Sequence, residues 1–370
     1  MNQAPDPNSS PVSASDEWSL LEEVIVGRIE GAVVPDEPDA MLQATIPTRQ
    51  LDFFRKNAGT PFPADQIAAA EKELTYLVTV LQGEGVRVRR PDDPGTLFQE
   101  PIITADWTTK GGLYAAMPRD NLLVVGDRII EAPMSWRSRQ REGLPYRALL
   151  QEYRRGGAQW IQAPTPRLTD DLYTKNWELS DTEFRSVITE VEPTFDAADF
   201  LRFGKDVVGQ RSHVTNDKGI RWLRELLGDE YRVQIIEFAD AHPMHVDATI
   251  MPLRPGLMLI NPVRVPDALA KQLQQGLFKG WDMINVPEPI MPDSQCLYMT
   301  SKWITMNVLS IDEERVIVEA QDEPMIALFK SLGLKPIPVP FRNFNTFGGS
   351  FHCATCDVKR AEGPREWLNA

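Results

Sequence analysis

The sequence predicts an α/β fold built from five ββαβ units, and three regularities support this prediction. Pairs of β-branched, apolar runs flank short turns rich in Gly, Pro or Asp, a pattern typical of β-hairpins. After each pair comes a longer segment whose apolar residues recur at helical spacing. A short strand that usually stops at proline closes each unit. Because this order recurs along the chain, it indicates an internal repeat.

The five hairpin-like segments are placed by their turns. They are Leu20–Gly27, Asn121–Ala132, Phe200–Gly209, Thr249–Asn261 and Trp303–Ala320. The last four turn at Gly126-Asp127, Gly204-Lys205-Asp206, Pro255-Gly256 and Asp312-Glu313-Glu314.

The predicted helices have acidic residues near several of their starts and glycine near every end, as helix capping favours. They are Asp65–Leu81, Tyr146–Arg155, Asp217–Leu227, Asp267–Leu277 and Glu323–Leu332. The strands predicted to follow them are Val86–Pro91, Ala158–Pro164, Tyr231–Phe238, Trp281–Pro287 and Leu334–Pro340.

A single ββαβ unit cannot bury its own apolar faces, whereas five units in a ring can. The ring would place helices outside, strands inside and a channel at the centre, in one domain over residues 17–370. The alternative is an ordinary α/β sheet with inserted hairpins, and the pattern alone leaves both open.

Composition limits the partners and the compartment. The net charge of −14 argues against nucleic acid or an anionic membrane as a partner, since both would repel the chain. No apolar run reaches the ~18 residues of a spanning helix. Residues 1–16 are polar and rich in Pro and Ser, which predicts a disordered tail rather than a signal peptide. Three cysteines form no disulfide framework, so a reducing, cytoplasmic location is expected.

Residues able to do chemistry stand at equivalent positions of the units, and in a ring they would meet at one end of the channel. Asp120 precedes the second hairpin, Asp196 the third, His245 and Asp247 the fourth, and Thr300 and Ser301 the fifth. The segment Gly348–Cys353 follows the fifth unit and is expected to pair with the first hairpin, closing the ring.

Each candidate has a plainer interpretation. Cys353 and Cys356 form a CxxC pair that could be redox-active, half of a zinc site, or inert. Because the sequence has no second CxxC and a ring would bring His245 near, we favour Cys353 as a nucleophile. His245 and Asp247 are two apart in a strand-like stretch, so both should face one way, raising the imidazole pKa and favouring a pair with a thiolate.

The remaining candidates are weaker taken singly. Asp120 and Asp196 could be turn residues, and Arg264 a solvated loop charge. His242, His213 and His352 are secondary histidine candidates.

Together the set suggests guanidino chemistry. Carboxylates bind guanidinium N–H groups bidentately, a thiolate can then add to the central carbon, and histidine can protonate the leaving amine. Water would convert the covalent intermediate to a ureido product, and an amine would convert it to a new guanidine.

Seven segments carry a resemblance to the glycine and inosamine-phosphate amidinotransferase family, from about Glu17 to the C-terminus. They are EWSLLEEVIVG (17–27), AMPRDNLLVVG (116–126), IIEAPMSWRSR (129–139), FDAADF (195–200), PMHVDAT (243–249), TSKWITMNVL (300–309) and GGSFHCATCDVKR (348–360). The resemblance implies the pentein fold, a five-bladed ββαβ propeller with pseudo-fivefold symmetry.

The resemblance also implies roles for individual residues. Cys353 would be the nucleophile, His245 the acid/base and Asp196 its orienting carboxylate. The substrate-binding residues implied are Asp120 and Asp247 for the guanidinium, Arg264 for the substrate carboxylate, and Ser301 with Thr300 in the same pocket. Thr300 stands where the glycine enzyme has serine. No metal or organic cofactor is expected.

The expected substrates are L-arginine and an amine acceptor. Met244 matches the glycine-type enzyme, but His242 stands where that enzyme has asparagine, so glycine or another small amino acid ranks first and lysine or a natural-product amine second. An inosamine phosphate would be crowded by Met244. An arginine deiminase-like hydrolase and a non-catalytic binding propeller are the rival functions, and a homodimer is an open alternative to a monomer.

Overall fold

Five three-stranded sheets form the framework of the chain, which a computed structural model describes over residues 10–292 and 294–368. In each sheet an antiparallel pair is extended by a third strand that runs parallel to its neighbour. Sheet 1 contains Thr355–Arg360, Leu21–Val26 and Arg87–Arg89; sheet 2, Leu122–Val125, Arg128–Glu131 and Gln159–Gln162; sheet 3, Phe200–Phe203, Asp206–Gly209 and Arg232–Ile235; sheet 4, Ile250–Arg254, Leu257–Ile260 and Asp282–Asn285; sheet 5, Leu309–Ser310, Arg315–Glu319 and Lys335–Val339. A separate hairpin pairs Ile102–Ile103 with Thr108–Thr109.

One helix precedes the parallel strand of each sheet, so the predicted order of the units is confirmed. These helices are Ala64–Gly83, Arg147–Arg155, Asp217–Leu227, Asp267–Gln275 and Glu323–Ser331. Residues 10–292 and 294–368 also form four further α-helices that were not predicted: Asp39–Thr45, Leu51–Asn57, Pro118–Asn121 and Arg342–Asn345.

The helix Asp217–Leu227 illustrates why these segments fold as they do. The side chain of Asn216 accepts a hydrogen bond from the backbone N–H of Gly219 and so caps the first turn. Ile220, Leu223 and Leu227 follow at spacings of three and four and are buried. The helix ends before Gly228, whose φ is +58°.

Sheet 1 differs from the prediction in how its antiparallel pair is made. Leu20–Gly27 is not a hairpin, since Leu21–Val26 is a single strand that pairs with Thr355–Arg360 from the other end of the chain. The closing strand therefore begins after Cys353, and residues 348–353 are not part of it. The predicted pairing of residues 348–353 is wrong, and it is the segment after them, Thr355–Arg360, that pairs with Leu21–Val26.

Apolar clusters join each sheet to the next and sheet 5 back to sheet 1. Sheet 1 shares a cluster with sheet 2, sheet 2 with sheet 3, sheet 3 with sheet 4 and sheet 4 with sheet 5. Ile317 of sheet 5 and Val24 of sheet 1 lie in a fifth cluster. The core is thus divided among the junctions between sheets, which accounts for the burial of units that are too small to fold alone.

The N-terminal segment departs from its prediction. A disordered tail was predicted over residues 1–16, but Val12, Ala14 and Asp16 are fully buried and the prediction is wrong for residues 11–16. Ser13 and Ala14 form bridges to sheets 1 and 2, and Asp16 forms one to Phe203 of sheet 3. Residues 1–9 lie outside the described part of the chain. Within the described ranges, no helix combines the length and hydropathy needed to cross a bilayer.

Candidate active site

Single-turn helices place several of the candidate side chains immediately before the first strand of a sheet. Asp120 lies in Pro118–Asn121, before sheet 2. Asp196, His245 and Ser301 are the N-cap residues of the 3-10 turns Ala197–Asp199, Val246–Ala248 and Lys302–Met306, which precede sheets 3, 4 and 5. Cys353 lies just before the closing strand of sheet 1 and is separated from it by one residue, Ala354. The candidate residues therefore stand at equivalent positions, just before a sheet, in the three-dimensional structure as well as in the sequence.

A cavity of about 320 Å³ collects these residues. All of the predicted site residues line it except Asp196, which lies behind His245. Those on its wall are Asp120, His242, Met244, His245, Asp247, Arg264, Thr300, Ser301 and Cys353.

His245 stands between two buried carboxylates. Its Nε2 lies 3.0 Å from Oδ2 of Asp196, and its Nδ1 lies 3.7 Å from Oδ1 of Asp120. Its backbone has φ +58°, in the left-handed region that non-glycine residues rarely adopt. Such strain persists where the surroundings hold it, and here it accompanies an imidazole fixed on two sides.

The charge on His245 is set by those carboxylates. Burial alone would lower the imidazole pKa, but Asp120 and the hydrogen-bonded Asp196 outweigh it and raise the pKa to about 10. His245 is therefore an imidazolium at neutral pH, a state suited to giving a proton to a leaving nitrogen.

Arg139 joins the carboxylates and was not predicted as a site residue. It is buried and donates to Oδ2 of Asp120 at 2.8 Å and to Oδ2 of Asp196 at 3.1 Å. Its third partner, Glu142, accepts at 2.9–3.0 Å and has a pKa that burial raises to about 7 despite the guanidinium. The available signal was its place in the segment 129–139, whose residues carried the resemblance.

Cys353 is buried, and its backbone N–H donates to Oδ1 of Asn307 at 3.0 Å. Its thiol donates to Oδ2 of Asp247 at 3.4 Å. Burial raises the pKa of the Cys353 thiol well above its usual value, and the charges of Asp247 and Asp120 raise it further. The structure differs from the predicted thiolate–imidazolium pair in that the sulfur contacts the carboxylate of Asp247.

Asp247 also differs from its prediction. The stretch around it is not a strand, because Asp247 lies within the 3-10 turn that His245 caps. Its Oδ2 lies 2.8 Å from Nδ1 of His352, a histidine that ranked only as a secondary candidate. The imidazole that contacts Asp247 directly is therefore that of His352, while both Asp247 and His245 still line the cavity.

Arg264 and His242 line the cavity and are partly exposed. Nε of Arg264 lies 2.9 Å from Oδ2 of Asp240, and its Nη1 donates to the carbonyl of Ala248 at 3.2 Å. Nε2 of His242 lies 3.9 Å from Oδ1 of Asp181. His213 does not line the cavity: it is buried behind His242, ring centroids 5.9 Å apart, and burial lowers its pKa to about 3.

One group of the described residues could hold a cation. Asp120, Asp196 and His245 offer ligand atoms within 4.8 Å of one another. The guanidinium of Arg139 already donates to both carboxylates, and the imidazole of His245 lies within 3.7 Å of each, so side chains of opposite charge already surround them.

No protein-family model matches the chain. Curated relatives do match, among them two amidinotransferases. The chain is 53% identical over 354 residues to the L-arginine:L-lysine amidinotransferase of Pseudomonas savastanoi pv. phaseolicola, a match that spans 95% of each chain. It is 43% identical to the mitochondrial glycine amidinotransferase of Gallus gallus, over 97% of this chain and 85% of that one. The chain belongs to the amidinotransferase family. The resemblance inferred from the sequence is thereby confirmed.

Solved structures agree with this membership. The amidinotransferase SxtG of Microseira wollei, from a saxitoxin biosynthetic pathway, has a TM-score of 0.85 and 44% identity, covering 96% of this chain and 99% of its own. Inosamine-phosphate amidinotransferase StrB1 of Streptomyces griseus has a TM-score of 0.86 and 36% identity, covering 98% and 100%. A dimethylarginine dimethylaminohydrolase, 15% identical with a TM-score of 0.56, shows similarity of fold alone, which agrees with a pentein fold.

Proposed function

We propose that this amidinotransferase moves the amidino group of L-arginine through an amidino-cysteine on Cys353 to an amine acceptor. The observation that carries the proposal is the meeting of a thiol, an imidazolium and two substrate-accessible carboxylates in one cavity, in a chain 53% identical to an arginine-dependent relative. Cys353, His245 and Asp196 are the proposed catalytic triad.

The first half-reaction follows from the charges around the cavity. Asp120 and Asp247 bind the guanidinium of arginine and hold its plane, with Arg264 on the substrate carboxylate. As the guanidinium binds, the thiol of Cys353 releases its proton to solvent. The sulfur then adds to the central carbon, and the bond from that carbon to the side-chain nitrogen breaks. His245 gives its proton to the departing nitrogen, so L-ornithine leaves and the amidino group stays on sulfur.

The second half-reaction reverses these roles. The acceptor amine enters the vacated pocket and attacks the amidino carbon, while His245 takes up the amine proton. The carbon–sulfur bond then breaks, and the new guanidine leaves Cys353 free. Because one pocket serves both steps in turn, the kinetics should be ping-pong.

Activation of the thiol is explained by the same carboxylates. Burial is the largest cause of the high pKa of Cys353, and the charges of Asp247 and Asp120 are the next largest. A guanidinium bound between them would offset those charges and lower the thiol pKa. The substrate would therefore help to generate the thiolate that attacks it.

For the acceptor we propose lysine, with glycine as the alternative. Ornithine leaves this pocket in every turnover, and lysine is longer than ornithine by one methylene, so the groups proposed to hold ornithine suit lysine. The 53% identity to an arginine:lysine enzyme supports this choice. Glycine, ranked first from Met244, remains the competing acceptor because a glycine enzyme is 43% identical.

The finer features of the fold belong to the same proposal. We infer that the five sheets form a five-bladed ring with pseudo-fivefold symmetry, which the cyclic order of the apolar clusters supports. The free thiols of Cys296, Cys353 and Cys356 are compatible with a reducing, cytoplasmic setting.

Intact mass tests the covalent step. After brief exposure to arginine without acceptor, we expect a mass increase of one amidino group, mapped to the peptide that contains Cys353. The C353A variant should show no adduct and no turnover, while C356A, which removes a thiol outside the cavity, should retain the adduct. An adduct that persists in C353A contradicts the mechanism.

Acceptor profiling tests the second substrate. With arginine present, we expect ornithine release to rise most with lysine, less with glycine, and least with amino-cyclitols. Stimulation by glycine but not lysine would replace the proposed acceptor. Citrulline formed without any amine would instead identify a hydrolase.

A further inference from the structure

His352 is a buried imidazole with a carboxylate at each ring nitrogen, and the mechanism above does not use it. It is 2% exposed and directly precedes the proposed nucleophile in the chain. Nδ1 lies 2.8 Å from Oδ2 of Asp247, and Nε2 lies 3.2 Å from Oε2 of Glu17. Donation to both carboxylates requires a proton on each nitrogen.

On the side of the cavity, His352 contacts one carboxylate oxygen, Oδ2 of Asp247. Oδ2 of Asp247 accepts from His352 and also lies 3.4 Å from Sγ of Cys353. A buried carboxylate without donors is costly and tends to take up a proton. Burial pushes the pKa of Asp247 upward, but the hydrogen bond and charge of His352 outweigh it, and the pKa is lowered.

On the opposite side, His352 rests on a buried ionic cluster. Oε2 of Glu17 accepts from Nη2 of Arg202 at 2.5 Å and from Nη1 of Arg119 at 3.2 Å. Both arginines also donate to Asp357, at 2.7 Å each. Nε of Arg119 additionally donates to the backbone carbonyl of His352 at 3.3 Å. The imidazole is thus held from its ring and from its backbone.

We propose that His352 is a positioning residue. It holds the Asp247 carboxylate against the thiol and in place for the guanidinium, and its own ring is held in place by Glu17. The inference rests on the proposed function, because it assigns Asp247 to guanidinium binding. It extends that function by making the N-terminal segment, which carries Glu17, part of the support of the site.

The expected signature is a shift in the acid limb of the pH profile for arginine. Asp247 binds a cation only when ionised, so kcat/KM falls as pH drops through its pKa. The charged or titratable groups that act on Asp247 are His352, the thiol of Cys353 and His245. Losing the His352 donor removes the principal force that lowers this pKa, so the acid limb moves to higher pH.

Two amide variants separate the two hydrogen bonds of the ring. In H352N the side-chain amide nitrogen can occupy the place of Nδ1 and donate to Asp247. In H352Q the longer side chain can reach the place of Nε2 and donate to Glu17 instead. We expect H352N to stay near the wild-type KM for arginine, and H352Q to raise it about tenfold or more, the effect of one lost charge-assisted hydrogen bond.

The acid limb should move upward in H352Q and stay in place in H352N, with thermal unfolding confirming that both variants fold. The E17Q variant gives a second test: it keeps an oxygen for Nε2 but weakens that hydrogen bond, so the ring is held less firmly against Asp247 and we expect a smaller upward shift. Acid limbs that coincide with that of wild type in both H352Q and E17Q would overturn the positioning role. A wild-type enzyme that transfers no amidino group would contradict the proposed function instead.

Discussion

At the scale of single residues, we propose that the site keeps its proposed nucleophile, Cys353, inactive until a cation binds. The Cys353 thiol is buried against Asp247, and the pKa of the thiol is raised by burial and then by Asp247 and Asp120. A thiolate is the reactive form of cysteine. The same two carboxylates are the proposed guanidinium ligands. Binding of the guanidinium would therefore itself lower the thiol pKa and activate Cys353.

Replacing Asp247 with asparagine should lower the Cys353 pKa in the free enzyme. The substitution removes the largest charge that raises the pKa while keeping the size of the side chain, so we expect the thiol pKa to decrease. The measurement is the pH titration of thiolate ultraviolet absorbance. C353S supplies the background from the remaining thiols, including Cys356, whose pKa burial raises to about 12. A Cys353 titration that moves upward in D247N would contradict this electrostatic account.

At the scale of elements, the helix of the third unit packs closely against the segment that leads to Asp196. In the third unit, helix Asp217–Leu227 approaches the chain just before Asp196. A Cβ built on Gly219 would lie 2.2 Å from the carbonyl oxygen of Thr194, far inside van der Waals contact. The backbone of Thr194 also donates to the capping side chain of Asn216 at 3.1 Å. Helix and catalytic turn are thus positioned together.

Replacing Gly219 with alanine should therefore destabilise the protein, although alanine favours helices. Alanine gains about 1 kcal/mol over glycine within a helix, whereas overpacking costs about 1–3 kcal/mol or more. We expect a net loss in the free energy of unfolding, measured in urea. The matched control is G83A, at the end of helix Ala64–Gly83, where an added Cβ meets nothing within 4 Å. Equal stability of the two variants would show that the close approach at Thr194 is relaxed.

At the scale of the molecule, the N-terminal segment ties several sheets together. Ser13, Ala14 and Asp16 form bridges to sheets 1, 2 and 3 in turn. Trp18 follows and is fully buried, with edge-to-face contacts to Phe203 at 5.8 Å, and further contacts of the same kind to Trp281 and Trp367. Residues 13–18 therefore contact sheets 1, 2 and 3 and also pack against the aromatic side chains of Trp281 and Trp367.

Replacing Trp18 with alanine should lower the free energy of unfolding by about 3–5 kcal/mol, the usual cost of emptying a large aromatic site. The matched control is L20A, two residues along, where a side chain 44% exposed should cost far less. Chemical denaturation of both variants measures the difference. Similar midpoints for W18A and L20A would mean that the segment contributes little to the assembly of the sheets.

The repeat itself was predictable because its signals are local. Helix Asp217–Leu227 was predicted with its observed bounds, since apolar spacing and end-capping residues are both read within a dozen positions. The hairpin turning at Gly126 was likewise predicted. Single-turn helices such as Val246–Ala248 were missed, because so few residues carry no periodicity. The burial of Ala14 was missed because its bridge partner, Gly126, lies more than a hundred residues away.

The sequence by itself determined which residues are able to react and at which equivalent points of the repeat they stand. Only the tertiary structure decided their partners: His245 contacts Asp196 and Asp120, whereas Asp247 contacts His352 and the thiol of Cys353. The physical reason is that pairing and protonation depend on distances of a few ångströms between side chains. Distant parts of the chain set those distances, and a linear pattern does not contain them.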